Sequence, residues 1–230
     1  MILKPNLLWA PNQGIPLPTV LANVSVENDT FSVEFIVEEP IECFRAEVTE
    51  NNGRCWEDSC VEIFLQDPSN SGAYFNFETT SRGFMLAAHG PDREHRQTLP
   101  AASIDKIRRT KQTASVVGNL VCWGMRIDIP AEILGIPNLS EVRLRGNFYK
   151  CADKAKTPHY LSAFPIQTER PDFTGPNSSA KYKKGLFFPS HITGLQDSVF
   201  RVTVLELEVD APNIHTGADF SIPIGAMVPG

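Results

Sequence analysis

The sequence predicts an all-β protein, an antiparallel β-sandwich of jelly-roll type. Apolar residues recur with a period of two over many short segments. Clusters of glycine, proline and asparagine separate these segments. Helical character is confined to one turn, Pro130-Ala-Glu-Ile-Leu134, with proline at its first position.

The elements follow in chain order. Strands are expected at Phe31–Val37, where Val33, Phe35 and Val37 share a face, and at Phe44–Val48. In the strand Cys60–Gln66, Val61, Ile63 and Leu65 face one way and Cys60, Glu62 and Phe64 the other. Pro68-Ser-Asn-Ser-Gly72 supplies a turn into a strand at Tyr74–Thr79. Further strands are expected at Phe84–His89, Ala114–Val117, Val121–Asp128, Val142–Tyr149 and Tyr160–Phe164. Residues 165–185 are rich in Pro, Ser, Lys and Gly and read as a long loop. The last strand, Phe200–Val209, shifts its apolar phase at Val204-Leu205, which implies a bulge. The expected organisation is one domain over residues 1–190, with residues 191–230 as an extension that adds one strand.

Composition narrows the function classes. A chain of 230 residues with 42% hydrophobic residues can bury one large β core. A net charge of −6 argues against nucleic acid as a partner. The one basic run, Lys106-Ile-Arg-Arg-Thr-Lys111, reads as a solvated strand edge or loop. No apolar run approaches the ~20 residues of a membrane span, so no membrane partner is expected. The five cysteines are odd in number and include no Cys-x-x-Cys pair, which argues against a zinc ribbon and for a reducing compartment. The N-terminus does not read as a signal peptide, so a cytoplasmic protein is expected, or a secreted one whose leader has been removed. Gly-x-Ser-x-Gly, His-Glu-x-x-His and phosphate-cradling glycine motifs are all missing from the sequence, which argues against an enzyme.

The most informative stretch is Cys55-Trp-Glu-Asp-Ser-Cys-Val-Glu62, followed by Tyr74-Phe-Asn-Phe-Glu78. It resembles the signature of the family-9 carbohydrate-binding modules: an aromatic, an Asp-Ser-x-x-Glu strand, then a Tyr-x-Asn-x-Glu strand. Arg145-Gly-Asn-Phe-Tyr-Lys-Cys151, Pro158-His-Tyr-Leu-Ser162, Phe164-Pro-Ile166 and Pro171-Asp-Phe173 continue the likeness in order and spacing. The resemblance covers roughly residues 5–190. It implies a β-sandwich that grips the end of a saccharide between aromatic side chains, without catalysis, and that is associated with glycoside hydrolysis.

By this resemblance Trp56 is a stacking wall and Glu62, six residues on, a hydroxyl acceptor. The residues alone leave two readings of each: Trp56 as a core indole, and Glu62 as the partner of an arginine across the sheet. Arg145 and Asn147 share a strand face, and the resemblance puts the arginine in the sugar site. Arg96 stands in a loop where relatives carry arginine, with Arg82 as the competitor. Where relatives place a second stacking tryptophan this chain has Ala163, so Phe164, or another aromatic such as Tyr182, is expected to supply that wall. His159, between Pro158 and a strand, is read as closing its loop, with a hydrogen bond to a ligand as the other reading. The resemblance also implies calcium, for which Asp58, Asp67 and Asp153 are scattered candidates without an assigned ligand set. Alternative functions are a ligand-free structural or partner-binding sandwich, a glycoside hydrolase using a pair such as Glu62 with Glu78, and a haem-binding sandwich using Met85 and His159.

Overall fold

The computed structural model describes residues 1–5, 9–67, 69–70, 72–139, 142, 144–164 and 166. The expected strand Phe200–Val209, the extension at 191–230, Pro171-Asp-Phe173 and Tyr182 lie outside them.

Eleven strands among the described residues form two antiparallel sheets. Four of them, β2 (Thr19–Glu27), β3 (Thr30–Pro40), β8 (Arg108–Val117) and β9 (Leu120–Pro130), form one sheet in the order β2-β3-β9-β8. The larger sheet contains β1 (Lys4–Pro5), β4 (Cys60–Gln66), β5 (Tyr74–Thr80), β6 (Met85–Gly90), β7 (Gln97–Thr98), β10 (Gly146–Cys151) and β11 (Tyr160–Ser162). Its order is β1-β11-β10-β4-β5-β6-β7. Among the described residues, helix is limited to α1 (Ala101–Lys106) and three single 3₁₀ turns, one of them at Ala131–Leu134 behind Pro130.

The alternation of apolar residues makes this a sandwich, because each sheet turns one apolar face to the other. Val33, Phe35 and Val37 of β3 and Trp123, Met125 and Ile127 of β9 meet Val61, Ile63 and Leu65 of β4 and Phe75 and Phe77 of β5 in one core. Phe35 and Phe148 touch edge to face, with ring centroids 6.2 Å apart. A polar link also crosses this core. Lys150 Nζ lies 3.0 Å from Glu39 Oε2, and Trp123 Nε1 donates to Glu39 Oε1 at 2.6 Å.

The expected strand Phe44–Val48 does not form. Side chains take the place of its ladder: the N–H groups of Glu47 and Val48 both donate to Asp58 Oδ2 at 2.7 Å, and Arg45 N–H donates to Ser59 Oγ at 3.1 Å. Arg45 also pairs with Asp58 through its guanidinium. The basic run at 106–111 spans the end of α1 and the start of β8, an exposed edge strand.

Candidate functional site

Strand parity places half of β4, β5, β10 and β11 on the face of the large sheet that points away from the core. Glu62 stands directly opposite Glu78 in the β4–β5 register, and Tyr149 opposite Glu62 in the β10–β4 register. Asn76 is two residues before Glu78 on the same face. This outer face is buried nonetheless. Trp9, Phe64, Tyr74, Tyr149 and Ile166 cover one part; Cys55, Cys60, Leu86, Ala88 and Cys151 form another, against which Trp56 and Tyr160 pack. The Asn12 side chain holds the covering segment down, donating to Tyr160 O at 2.8 Å and accepting from Tyr160 N–H at 2.9 Å.

Arg96 enters this face from the β6–β7 loop. Its N–H donates to Asp92 O at 3.0 Å, and Asp92 Oδ1 accepts the N–H groups of Glu94 and His95 at 2.9 and 2.8 Å. The loop folds back so closely that a Cβ on Gly90 would lie 2.4 Å from Arg96 Cα, so no larger residue fits there. Arg96 Nη2 thereby reaches Glu78 Oε1 at 3.3 Å, and Asn76 Nδ2 donates to the same oxygen at 2.8 Å. Three buried polar atoms in this group, Asn76 Oδ1, Glu78 Oε2 and Arg96 Nη1, have no hydrogen-bond partner among the described residues. Burial of such atoms is costly unless something completes their bonding.

The electrostatics follow from the same packing. Burial, then repulsion from Glu78, raises the Glu62 carboxyl well above the usual carboxylate range. Burial also raises Glu78, against the lowering effect of Arg96. The packing therefore favours the neutral form of Glu62, beside a Glu78 carboxyl held by the Arg96 guanidinium. Cys151 Sγ donates to Glu62 Oε1 at 2.9 Å.

The structure brings together some of the expected residues and separates others. Trp56 sits half-buried in the 3₁₀ turn Cys55–Glu57, beside the Cys60–Cys151 patch. Glu62 and Arg96 belong to one polar group, with Glu78 as the arginine's partner. Arg82 does not compete, since it bonds to Val48 O at 3.2 Å and stacks on Phe84. Arg145 is exposed just outside β10, level with Gln66, whose N–H its carbonyl accepts at 2.8 Å. It is four residues, or about 13 Å along the strand, from Tyr149 opposite Glu62. Asn147 is buried and clasps the Phe164 backbone, donating to its carbonyl at 3.0 Å and accepting its N–H at 3.0 Å. Phe164 packs into the core between the sheets, so its ring is not on the outer face. Tyr160 is half-buried and packs on that face.

In the sequence reading Asn76 and Tyr160 carry no binding role, and Glu78 is named as a carboxylate partner of Glu62. That Asn76 and Glu78 share a face is readable from their spacing; the register that sets Glu78 opposite Glu62 is not.

His159 is fully buried and structural. Its Nε2 lies 2.7 Å from Lys150 Nζ and its Nδ1 3.1 Å from Thr157 O. With both ring nitrogens engaged and Met85 buried in the core, this pair is not placed to hold a haem. The residues do not fit calcium either. Asp58 accepts two backbone N–H groups and Arg45. Asp67 accepts from Ser69 and Asn70 and meets His89, and Asp153 meets Tyr160. These are three separate carboxylates, each already bonded, where a hard cation needs six to eight oxygens around one point.

Comparison with known proteins gives a family match and a structural likeness. The profile of the family described as carbohydrate-binding family 9 matches residues 5–182. The fold is similar to the crystal structure of a Bacteroides uniformis protein provisionally named as carbohydrate-binding, with a TM-score of 0.63 and 28% identity. The likeness covers 76% of this chain and 81% of that one. No curated protein matches the sequence.

Proposed function

We propose, from the premise that the chain belongs to carbohydrate-binding family 9, that it binds the end of a saccharide without cleaving it. The observation that carries this reading is the group Glu62, Asn76, Glu78 and Arg96 on the outer sheet face, with three buried polar atoms awaiting partners. Adjacent sugar hydroxyls both donate and accept. Asn76 Oδ1 and Glu78 Oε2 can accept from them, and Arg96 Nη1 can donate, through charge-assisted bonds where a carboxylate or guanidinium takes part. Asn76 and Glu78 are two residues apart and Glu62 is on the next strand, so the polar footprint is about that of one ring. That size suits a terminal sugar rather than a stretch of polymer. Trp56 and Tyr160 border the site with half-buried rings, which suits stacking on the C–H face of a pyranose.

Titration calorimetry against mono-, di- and tetrasaccharides tests the reading. Binding is expected to reach its full strength with one or two sugar units. Trp56→Ala and Arg96→Ala should each weaken it at least tenfold, or about 1.4 kcal/mol. Arg145→Ala, altering a residue at the far end of β10, should change it less than threefold. A wild-type protein that binds no saccharide at millimolar concentration would overturn the proposal. Ala163, small where relatives have a ring, would then favour a structural module.

A further inference from the structure

The outer face holds a second cluster, which shares Glu62 with the proposed saccharide site and adds two cysteines. Cys60 and Cys151 stand directly opposite each other on β4 and β10. Glu62 follows two residues after Cys60 on the same face. All three are at most 3% exposed. A ligating atom from each lies within 4.8 Å of the other two, and no other group of His, Cys, Asp and Glu among the described residues does this. Next to Glu62 stands Glu78, with its buried, unpartnered Oε2.

We propose that Cys60, Cys151 and Glu62 bind a thiophilic divalent cation such as Zn²⁺, through two sulfurs and one oxygen. Thiolate sulfur prefers borderline and soft cations, and a mixed sulfur–carboxylate set suits zinc or cobalt rather than calcium or magnesium. Cross-strand placement fixes the two sulfurs before the metal arrives, so little backbone ordering opposes binding. The two thiols lose their protons on metal binding, and the cation balances the charge that this leaves in a buried place. Three protein ligands leave a fourth position for a further donor, and Glu78 stands next to Glu62. Glu62 is common to this site and the proposed saccharide site, but metal uptake is read with no sugar present, so the failure of either proposal is seen separately.

The test is titration of the full, reduced chain with Co²⁺ and then Zn²⁺. One Co²⁺ per chain should bind and give a near-ultraviolet thiolate-to-cobalt charge-transfer band, which Zn²⁺ then removes. Cys60→Ser and Cys151→Ser should each weaken uptake at least tenfold. Cys43→Ser and Cys122→Ser should leave it unchanged. The wild-type zinc protein guards against misfolded variants: X-ray absorption should find two sulfur neighbours at about 2.3 Å. Absence of the band in wild type overturns the proposal, as does a band of equal strength in Cys60→Ser or a zinc shell with fewer than two sulfurs.

Discussion

His159 shows what burial imposes on one residue. Desolvation, reinforced by Lys150 beside it, pushes the imidazole down to about 2. It is therefore neutral at ordinary pH and accepts from the lysine, with Nδ1–H donating to Thr157 O. Between pH about 6.5 and 2 the unfolded chain binds this proton and the folded chain does not, so stability must fall as pH falls. From pH 6.5 to 5.0 the loss should be about 1.5 kcal/mol greater for wild type than for His159→Gln, which keeps an acceptor but does not titrate. Urea unfolding at the two pH values measures this; equal losses would show that His159 is charged in the folded state. Such a closing role was legible, since His159 sits between Pro158 and a strand. Phe164 was less legible. Alternation alone does not say that Asn147 will seize its backbone, or that its ring will enter the core.

Elements were legible where apolar residues alternate and less so where side chains replace the ladder. β3, β4, β5 and β9 lie within a few residues of the expected strands. β2 was missed, although Asn28 and Asp29 adopt φ of 48° and 53° in the two-residue turn joining it to β3. Only alternating small and mid-sized residues, Val20, Ala22 and Val24, mark its buried side. Arg96 depends on another turn. Gly90→Ala should displace the loop that carries it, and should cut saccharide affinity about as strongly as Arg96→Ala while the fold persists. Unchanged affinity in calorimetry would separate the loop from the site. On the small sheet, Asp128 ties three strands together, accepting from Ser32 at 2.6 Å, Arg126 at 2.8 Å and Arg108 at 2.7 Å. Burial opposes its charge, but these bonds outweigh it and hold the carboxyl below its usual range. Asp128→Asn should therefore cost about 1–2 kcal/mol above pH 4, with the difference shrinking as acid protonates the wild-type carboxyl. Denaturation midpoints at pH 7 and pH 3 give the comparison, and a difference independent of pH would refute the assignment.

At the scale of the molecule, the described residues form two sheets joined by an apolar core, and the buried pair Lys150–Glu39 runs through it. The sandwich was legible from periodicity, but Lys150 and Glu39 were not, since a charged residue on a strand reads as solvent-facing. Lys150→Met should destabilise by about 3–5 kcal/mol because it strands the Glu39 carboxylate. The double change Glu39→Gln with Lys150→Met should restore much of that loss. If single and double variants melt alike, the pair does not bridge the sheets as a unit.

The two-sided burial of β4 and β5 has a consequence for motion. Almost every residue of these strands is shielded on both faces, whereas β8 is exposed nearly throughout. Amide hydrogens on β4 and β5 should exchange only through global unfolding, and those on β8 through local fluctuation. The proposed saccharide would then meet a floor that is already still. Its binding should leave exchange on β4 and β5 untouched and slow it only around Trp56, Tyr160 and the 91–96 loop, so that the entropy lost on binding falls on the rim.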